Sequence, residues 1–167
     1  MRYLSILFFC FLLFITACSK IDNTQVESFN KYDKVRLLSY DSHRKVYSKE
    51  DYLWIKNDTL IIPKVKIIDN VILSKEYKKQ IINVLCSYDN KNCSMADCYN
   101  PRHILLFYRN NKVVDYYEFC ASCGGSTQSR GMKIPSICTE QGQELIKIFK
   151  KMKLKNDGEE GFEYKYF

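Results

Sequence analysis

Glycine and proline are scarce in this chain, with six and three among 167 residues. There is no glycine-rich phosphate loop, no serine or threonine that can be assigned as a nucleophile, and no internal repeat or long low-complexity tract. Hydrophobic residues make up 46% of the sequence and aromatic residues 14%. This composition excludes wholesale disorder and predicts one globular domain with a real core.

The amino terminus has the features of a targeting segment. Arg2 precedes an apolar run over residues 4–15 that is too short to cross a bilayer comfortably. The run ends in Ile15-Thr16-Ala17-Cys18, which resembles the lipobox of bacterial lipoproteins, where the cysteine is lipidated and becomes the first residue after cleavage. The resemblance implies a signal peptide over residues 1–17 and lipidation at Cys18. An ordinary secretory signal and an uncleaved anchor are the alternatives.

Lipidation at Cys18 implies firm attachment to a membrane, because stable anchoring takes more than one acyl chain and this modification supplies several. Ser19 follows the cysteine, and by resemblance to lipoproteins of bacteria with two membranes the absence of aspartate there permits the outer membrane, facing the periplasm or the surface. We expect residues 18–33 to form the lipidated cysteine and a tether, and residues 34–167 to form a single domain.

The chain is basic, with a formal charge of +7 that becomes +6 when the segment containing Arg2 is removed. Five lysines lie on or just after a predicted helix near the carboxyl terminus: Lys147, Lys150, Lys151, Lys153 and Lys155. No helix-turn-helix, RNP-type or zinc-finger pattern occurs, and the export signal also argues against nucleic acid as a partner. We expect a solvated helix face beside a membrane, and an envelope protein or a small ligand as the unidentified partner.

The spacing of apolar residues predicts an α+β domain in which a small antiparallel sheet packs against two helices. Candidate strands before the first helix cover residues 35–40, 51–55, 59–62 and 65–73. Ser74 is the predicted N-cap of a helix over residues 75–85, and Thr139 that of a helix over residues 140–154.

A predicted hairpin over residues 103–119 forms the centre of the sheet. Its two strands flank Asn110-Asn111, and asparagine tolerates the positive φ that both central residues of a type I′ turn require. This turn places His103 opposite Glu118. The two side chains would then form a polar pair, an acid–base pair or metal ligands, although a cross-strand charge pair is the commoner explanation.

Eight cysteines are present, and six remain when Cys10 in the signal and the lipidated Cys18 are set aside. The six disulfide candidates are Cys86, Cys93, Cys98, Cys120, Cys123 and Cys138. An even number in an exported chain predicts bridges, here clamping the base of the hairpin. The same strand pairing favours Cys98–Cys123, with Cys98–Cys120 next because a bulge at Pro101 would shift the register.

Two chemical alternatives stay open for these cysteines. A zinc or other transition-metal site would use Cys98, His103, Cys120 and Cys123, although only one Cys-x-x-Cys is present. Thiol redox exchange would use the Cys-x-x-Cys motif, but the glycines that follow it are a poor start for the helix that usually lowers the thiol pKa. No cofactor is expected under the structural interpretation, and a c-type haem in its usual form is excluded because Gly124, not histidine, follows the second cysteine.

The motifs Cys98-Tyr99-Asn100-Pro101-Arg102-His103 and Glu118-Phe119-Cys120-x-x-Cys123 resemble a motif set of small secreted or lipid-anchored proteins of Bacteroidota. In those proteins a Cys-x-x-Pro-Arg-His strand precedes a Glu-Ile-Cys-x-x-Cys strand and a carboxy-terminal helix. The similarity covers about residues 74–154, with Phe119 where isoleucine is usual. The family has no assigned activity, so the resemblance implies a location and a fold unit but no catalytic residue. We therefore expect an envelope module that binds a partner or supports an assembly.

Overall fold

The computed structural model describes residues 26–41, 55–56, 59–61, 65–87 and 99–159. These residues form an α+β fold in which a five-stranded antiparallel sheet packs against two helices, as the apolar pattern predicted. The predicted signal peptide, the lipidation site Cys18 and the disulfide candidates Cys93 and Cys98 lie outside the described residues, as does most of the strand predicted over 51–55.

Seven strands, two α-helices and one short 3-10 helix make up the described elements. In chain order they are the 3-10 helix Ser28–Lys31, β1 Lys34–Tyr40, β2 Ile55–Lys56, β3 Thr59–Leu60, β4 Ile67–Ile72, α1 Lys75–Cys86, β5 His103–Arg109, β6 Lys112–Phe119, β7 Ser126–Gln128 and α2 Thr139–Lys151. The main sheet has the order β4-β1-β5-β6-β7 with every neighbouring pair antiparallel. Strands β2 and β3 pair with each other in a separate ladder.

The central strand β5 is buried on both faces, which explains why it is almost continuously apolar. The helix face packs against both helices. Its strand residues include Val35, Leu37, Leu105, Phe107, Tyr117 and Phe119, and its helix residues include Ile81, Ile82, Leu85, Leu145 and Phe149. The opposite face, here called the far face, carries Leu38, Tyr40, Ile104, Leu106, Tyr108, Val113 and Tyr116.

Helix α1 begins where the sequence predicts. The Ser74 hydroxyl oxygen accepts a hydrogen bond from the backbone N–H of Tyr77 at 3.2 Å and so caps the first turn. Helix α2 differs from the prediction at both ends, because its N-cap is Cys138 rather than Thr139 and its last residue is Lys151.

The early end of α2 has a clear physical cause. Lys153 adopts a φ of 58°, and its N–H donates to the carbonyl of Lys150 at 3.0 Å while the N–H of Leu154 donates to that of Phe149 at 3.2 Å. This pair of bonds is a Schellman motif, which ends a helix and turns the next apolar residue back toward it. Leu154 therefore joins the helix-face core without belonging to the helix.

Residues 26–33 belong to the folded domain, which corrects the prediction that the tether extends to residue 33. Phe29 and Tyr32 are buried, and their ring centroids lie 5.6 and 4.9 Å from that of Phe107. The Lys78 ammonium group donates to the carbonyls of Phe29 and Tyr32 at 3.0 and 2.9 Å. Two aromatic residues in a polar stretch were the available signal, because they supply large apolar surface to bury.

The central hairpin has the predicted turn. Asn110 and Asn111 have φ values of 52° and 60°, as a type I′ turn requires, and Arg109 faces Lys112 across it. The pairing then shifts by one residue, so that Phe107 faces Asp115 and Val114 has no partner on β5. This extra residue in β6 is a β-bulge.

The bulge changes which side chains share a face. Beyond Val114, His103 faces Phe119 and Ile104 faces Glu118. Successive residues of a strand point to opposite faces, so His103 lies on the helix face and Glu118 on the far face. The predicted polar pair of His103 and Glu118 is therefore wrong.

Candidate functional site

Cys120 to Cys123 form a turn directly after β6, and the two cysteines are joined by a disulfide with their Cα atoms 5.5 Å apart. The predicted bridges Cys98–Cys123 and Cys98–Cys120 are therefore wrong. The hairpin ladder ends at Phe119, and the chain then folds back so that Ser126 of β7 pairs with Phe119. Cys123 lies in the connection between two strands rather than in a ladder extended toward Cys98.

The other described cysteines have two different states. Cys138 is disulfide-bonded to a cysteine outside the described residues. Cys86 carries a buried thiol at the end of α1, where it packs in the helix-face core. The disulfide prediction is thus confirmed for Cys120, Cys123 and Cys138 and is wrong for Cys86, which behaves as a small apolar residue.

The first turn of α2 packs directly on the cysteine turn. A Cβ atom added at Gly142 would lie 1.8 Å from the carbonyl oxygen of Ala121, so only glycine fits there. Neighbouring Gln141 holds this end of the helix, because its Oε1 accepts from the N–H of Cys138 at 3.0 Å and its Nε2 donates to the carbonyl of Val84 at 2.8 Å. A helix amino terminus therefore adjoins the motif in space although none follows it in sequence.

Hydrogen-bond donors converge on one sulfur of the pair. The backbone N–H of Cys123 donates to the Sγ of Cys120 at 3.2 Å, and the Ser122 hydroxyl lies 3.7 Å from the same sulfur. Both cysteines are at least 97% buried, whereas Ser122 between them is partly exposed. The two sulfur atoms are thus chemically unequal, and negative charge is better stabilised on Cys120.

His103 is fully buried on the helix face between two phenylalanine rings, with centroids 5.5 Å from Phe119 and 5.0 Å from Phe149. Its Nε2 lies 3.0 Å from the carbonyl oxygen of Asn156. A carbonyl only accepts, so Nε2 donates and Nδ1 is unprotonated. Nδ1 has no hydrogen-bond partner among the described residues. Burial lowers the pKa of His103 to about 4, so the ring is neutral at pH 7.

The segment after α2 covers this histidine. Asn156 donates its N–H to Oδ2 of Asp69 at 2.9 Å and its side-chain Nδ2 to the carbonyl of Tyr40 at 3.1 Å. A Cβ atom added at Gly158 would lie 3.1 Å from both the Cε1 of His103 and the Cβ of Ala121. One short segment therefore packs against the histidine and the cysteine turn together.

Asp69 is the polar anchor of that segment. Burial alone would raise the pKa of its carboxyl group, but hydrogen bonds from Ser39 and from the backbone of Asn156 and Lys155 outweigh burial and lower it. The Ser39 hydroxyl and the Lys155 N–H lie 2.5 and 3.0 Å from the carboxylate oxygens. Asp69 therefore ties the carboxy-terminal segment to β4 as a carboxylate.

Glu118 is buried in the far face and is held by two hydroxyl groups. The Tyr40 hydroxyl donates to Oε1 at 2.6 Å, and that of Thr127 donates to Oε2 at 3.1 Å. These bonds join β1 and β7 to β6 on either side. The carboxylate therefore has a structural role in the sheet, which sequence reasoning missed because it depends on the strand order.

Within the described residues, the side chains predicted to bind a metal ion do not come together in a metal site. Cys120 and Cys123 are bonded to each other, and His103 uses Nε2 for Asn156. Cys98 lies outside the described residues. No group of three or more histidine, cysteine, aspartate or glutamate side chains in the described ranges is placed to hold a metal ion.

A separate cleft of about 810 Å³ lies between residues 26–33 and α1. Charges of both signs line it: Glu27, Asp33, Lys75, Lys78 and Lys79. The mixed charge favours neither an anionic nor a cationic ligand. All five lysines near the carboxyl terminus are exposed, as expected for a solvated surface, and two of them pair with acidic residues, Lys147 with Glu144 and Lys150 with Glu159.

Comparison of the chain with known protein families, with curated proteins and with solved structures found no match. None of the helices in the described part of the chain combines the length and the apolar character needed to span a membrane. Function must therefore be inferred from the chemistry of the residues themselves.

Proposed function

We propose that this protein is a membrane-anchored lipoprotein of the bacterial cell envelope, in which Cys18 carries the lipid and the folded domain acts as a non-enzymatic binding or structural module. The observation that carries the proposal is the coincidence of a lipobox with disulfides in the folded domain, Cys120–Cys123 and a second one at Cys138. Disulfides persist in oxidising compartments outside the cytosol, so both features point to export.

The roles of the buried polar groups support a non-enzymatic module. His103, Asp69 and Glu118 would be the natural acid–base candidates, but each is buried or partly buried and engaged in hydrogen bonds that join elements of the fold. A general base must instead reach a proton of a bound substrate. Placing these groups inside the domain favours a stabilising role over a catalytic one.

The position of the domain relative to Cys18 supports a role close to the membrane. Val26 packs against the helix-face core and is the eighth residue after Cys18. Eight residues span at most about 29 Å when fully extended. A lipid on Cys18 would therefore hold the domain within roughly one domain diameter of the bilayer surface, which suits a module that serves an assembly at the membrane.

The test is metabolic labelling of the full chain with a palmitate analogue in a bacterium with two membranes, followed by fractionation and mass measurement of the mature amino terminus. Wild type should carry the label and begin at Cys18. Cys18→Ala should lose the label and leave the membrane fraction. Cys10→Ala is the matched control, because it removes a cysteine from the same segment and should keep both. Label retained in Cys18→Ala would overturn the proposal.

The second candidate is an exported metal-binding or thiol-redox protein that uses Cys98, Cys120 and Cys123. The bond between Cys120 and Cys123 favours the redox form over the metal form, because metals bind thiolates rather than disulfide sulfurs. Native mass spectrometry of the chain purified without reductant distinguishes the two. A metal-free species with Cys120 and Cys123 oxidised excludes the metal form, and a species with bound metal and two more thiols supports it.

A further inference from the structure

We infer that the Cys120–Cys123 disulfide is an exchangeable redox site whose substrate class is a protein or small-molecule dithiol, and that Cys120 is the thiolate-stabilised member. This inference deepens the second candidate function and does not depend on the lipid anchor. It rests on three features of the described residues: the size of the disulfide ring, the donors around one sulfur, and the packing of α2 on the turn.

The ring argues against a purely structural bridge. A disulfide stabilises a fold mainly by restricting the unfolded chain, and the effect grows with the length of the closed loop. Only Ala121 and Ser122 separate the two cysteines, so this bridge restricts the unfolded chain less than a bridge between distant residues would. It also joins no two elements, because both cysteines lie in one connection between β6 and β7. The turn is held independently by the bond from Gly124 N–H to the carbonyl of Cys120 at 3.0 Å.

The hydrogen-bond donors determine which sulfur is the leaving group in the exchange. The Cys123 N–H at 3.2 Å and the Ser122 hydroxyl at 3.7 Å both approach the Sγ of Cys120. The amino-terminal turn of α2, a helix of 13 residues, packs on Ala121 next to it. Backbone N–H groups and the positive end of a helix both stabilise a thiolate. A lower thiol pKa makes a sulfur the better leaving group in thiol–disulfide exchange.

The exchange can be written with all atoms and electrons accounted for. One thiolate of the dithiol attacks the Sγ of Cys123, a new S–S bond forms there, and the electron pair of the Cys120–Cys123 bond leaves on the Sγ of Cys120. The second thiol of the dithiol then loses its proton and attacks the first sulfur of the dithiol, which is now bonded to Cys123. This closes the dithiol into a disulfide and releases Cys123, which takes up the proton. Two electrons pass to the protein, the dithiol is oxidised, and the reverse sequence reoxidises the pair.

Ser122 is partly exposed between the two buried cysteines, so we expect a reductant to approach the disulfide from its side. The bridge at Cys138 is the internal reference, since Cys138 is also buried and begins α2. Cys86 provides a second reference as a buried thiol at the end of α1. A selective site should respond to reductant before either of them becomes accessible.

The first experiment is a redox titration of the full chain, purified from whichever cell fraction contains it. Mixtures of reduced and oxidised dithiothreitol set the potential, a maleimide traps the thiols, and peptide mass spectrometry identifies each cysteine. Cys120 and Cys123 should become labelled as a pair at a reduced-to-oxidised ratio at least tenfold lower than Cys138 requires, with the circular dichroism spectrum unchanged. Labelling of Cys120 and Cys123 only together with Cys138, or only as the protein unfolds, would overturn the inference.

The second experiment compares two variants that each leave one thiol. Cys123→Ala keeps Cys120 and the N–H that donates to it, whereas Cys120→Ala keeps Cys123 without these donors. At pH 7 the Cys120 thiol should react with iodoacetamide at least tenfold faster than the Cys123 thiol. Ser122→Ala in the Cys123→Ala background should slow alkylation about threefold, and Ser126→Ala, which removes a nearby hydroxyl bonded to Ser136 instead, should not. Equal rates for the two single thiols would contradict the assignment of Cys120.

These outcomes are separable from those of the lipid test. Palmitate labelling reports on Cys18, and the titration reports on Cys120 and Cys123 in the same purified sample. A chain that is lipidated but whose Cys120–Cys123 bond resists reduction keeps the envelope proposal and loses the redox site. A chain without lipid whose bond exchanges readily does the reverse.

Discussion

The imidazole of His103 and the backbone carbonyl of Asn156 are joined by a 3.0 Å hydrogen bond inside the protein, where neither residue is more than 4% exposed. This bond connects the first residue of β5 to the segment that follows α2. Because burial lowers the pKa of His103 to about 4, the folded protein keeps the ring neutral over the pH range in which an exposed histidine becomes charged.

Stability should therefore fall as the pH decreases from about 6.5 to about 4. In this window the unfolded chain binds a proton at His103 that the folded protein does not bind, which favours unfolding by about 3 kcal/mol in total. The stability that comes from keeping His103 neutral is fully present above pH 6.5 and is lost as the pH falls toward the folded-state pKa. Urea unfolding at a series of pH values measures it.

His103→Phe should flatten this part of the pH profile, because the substituted ring cannot titrate. His43→Gln is the matched control, since His43 is the other of the two histidines, and it should keep the slope of wild type. Carboxyl groups titrate in the same range in all three proteins and cancel in the comparison. Equal slopes in wild type and His103→Phe would show that the ring does not control acid stability.

Tyr40→Phe should destabilise the protein by about 1.5–3 kcal/mol, the usual cost of removing a hydrogen bond to a charged group. The lost hydroxyl is the 2.6 Å donor to the buried carboxylate of Glu118. Tyr108→Phe is the control, because Tyr108 lies on the same far face but its hydroxyl makes no hydrogen bond within the described residues. Chemical denaturation compares the two, and equal losses would contradict the role assigned to Glu118.

Gly142→Ala should destabilise the protein by about 1–3 kcal/mol, as overpacking of a core does. Alanine is normally the better helix residue by about 0.5–1 kcal/mol, so the sign of the effect is diagnostic. The new Cβ would meet the backbone of Ala121 at 1.8 Å. At Gly131 the nearest atom is 3.8 Å away, so Gly131→Ala should change the melting temperature little. A stabilised Gly142→Ala would mean that α2 does not pack on the cysteine turn.

Asn110→Ala should lower the free energy of unfolding by about 1–2 kcal/mol, because a left-handed backbone conformation is unfavourable for alanine by this amount. The φ of 52° at Asn110 is required by the type I′ turn. Asn111→Gly should be neutral or slightly stabilising, since glycine adopts the φ of 60° without strain. Melting temperatures of both variants test the turn. The N–H of residue 110 still reaches Asp33 in each of them, so the contrast isolates the backbone preference.

The elements that depend on local sequence could be predicted. The Asn110-Asn111 turn, the Ser74 cap and the two amphipathic helices follow from preferences of a few neighbouring residues. The α+β class follows because runs of short strands are each followed by one helix, instead of strands and helices alternating one by one. The end of α2 could not be placed to the residue, because a Schellman motif needs a positive φ at Lys153 and no glycine or asparagine marked that position.

The candidate site could be predicted only in part, because one bulge determines which residues of β5 and β6 face each other. An unpaired Val114 leaves no mark in the sequence, yet it moves every later residue of β6 to the other face relative to β5. It therefore separates His103 from Glu118 and invalidates the cysteine pairing extrapolated from the turn. The contacts of Asn156, Gln141 and Gly142 join parts of the chain that are far apart in sequence, and only packing brings them together.

The position of β1 in the sheet has a mechanical consequence. Residues 26–33 lead into β1, which is hydrogen-bonded to β4 on one side and to β5 on the other. A pulling force transmitted from the amino-terminal side must therefore break two ladders at once, because no edge strand is available there to peel away. Lys78 also holds the segment just before β1 through its hydrogen bonds to the carbonyls of Phe29 and Tyr32. β1 is thus the better strand for bearing load, while β7 at the edge of the sheet is a strand that can yield first.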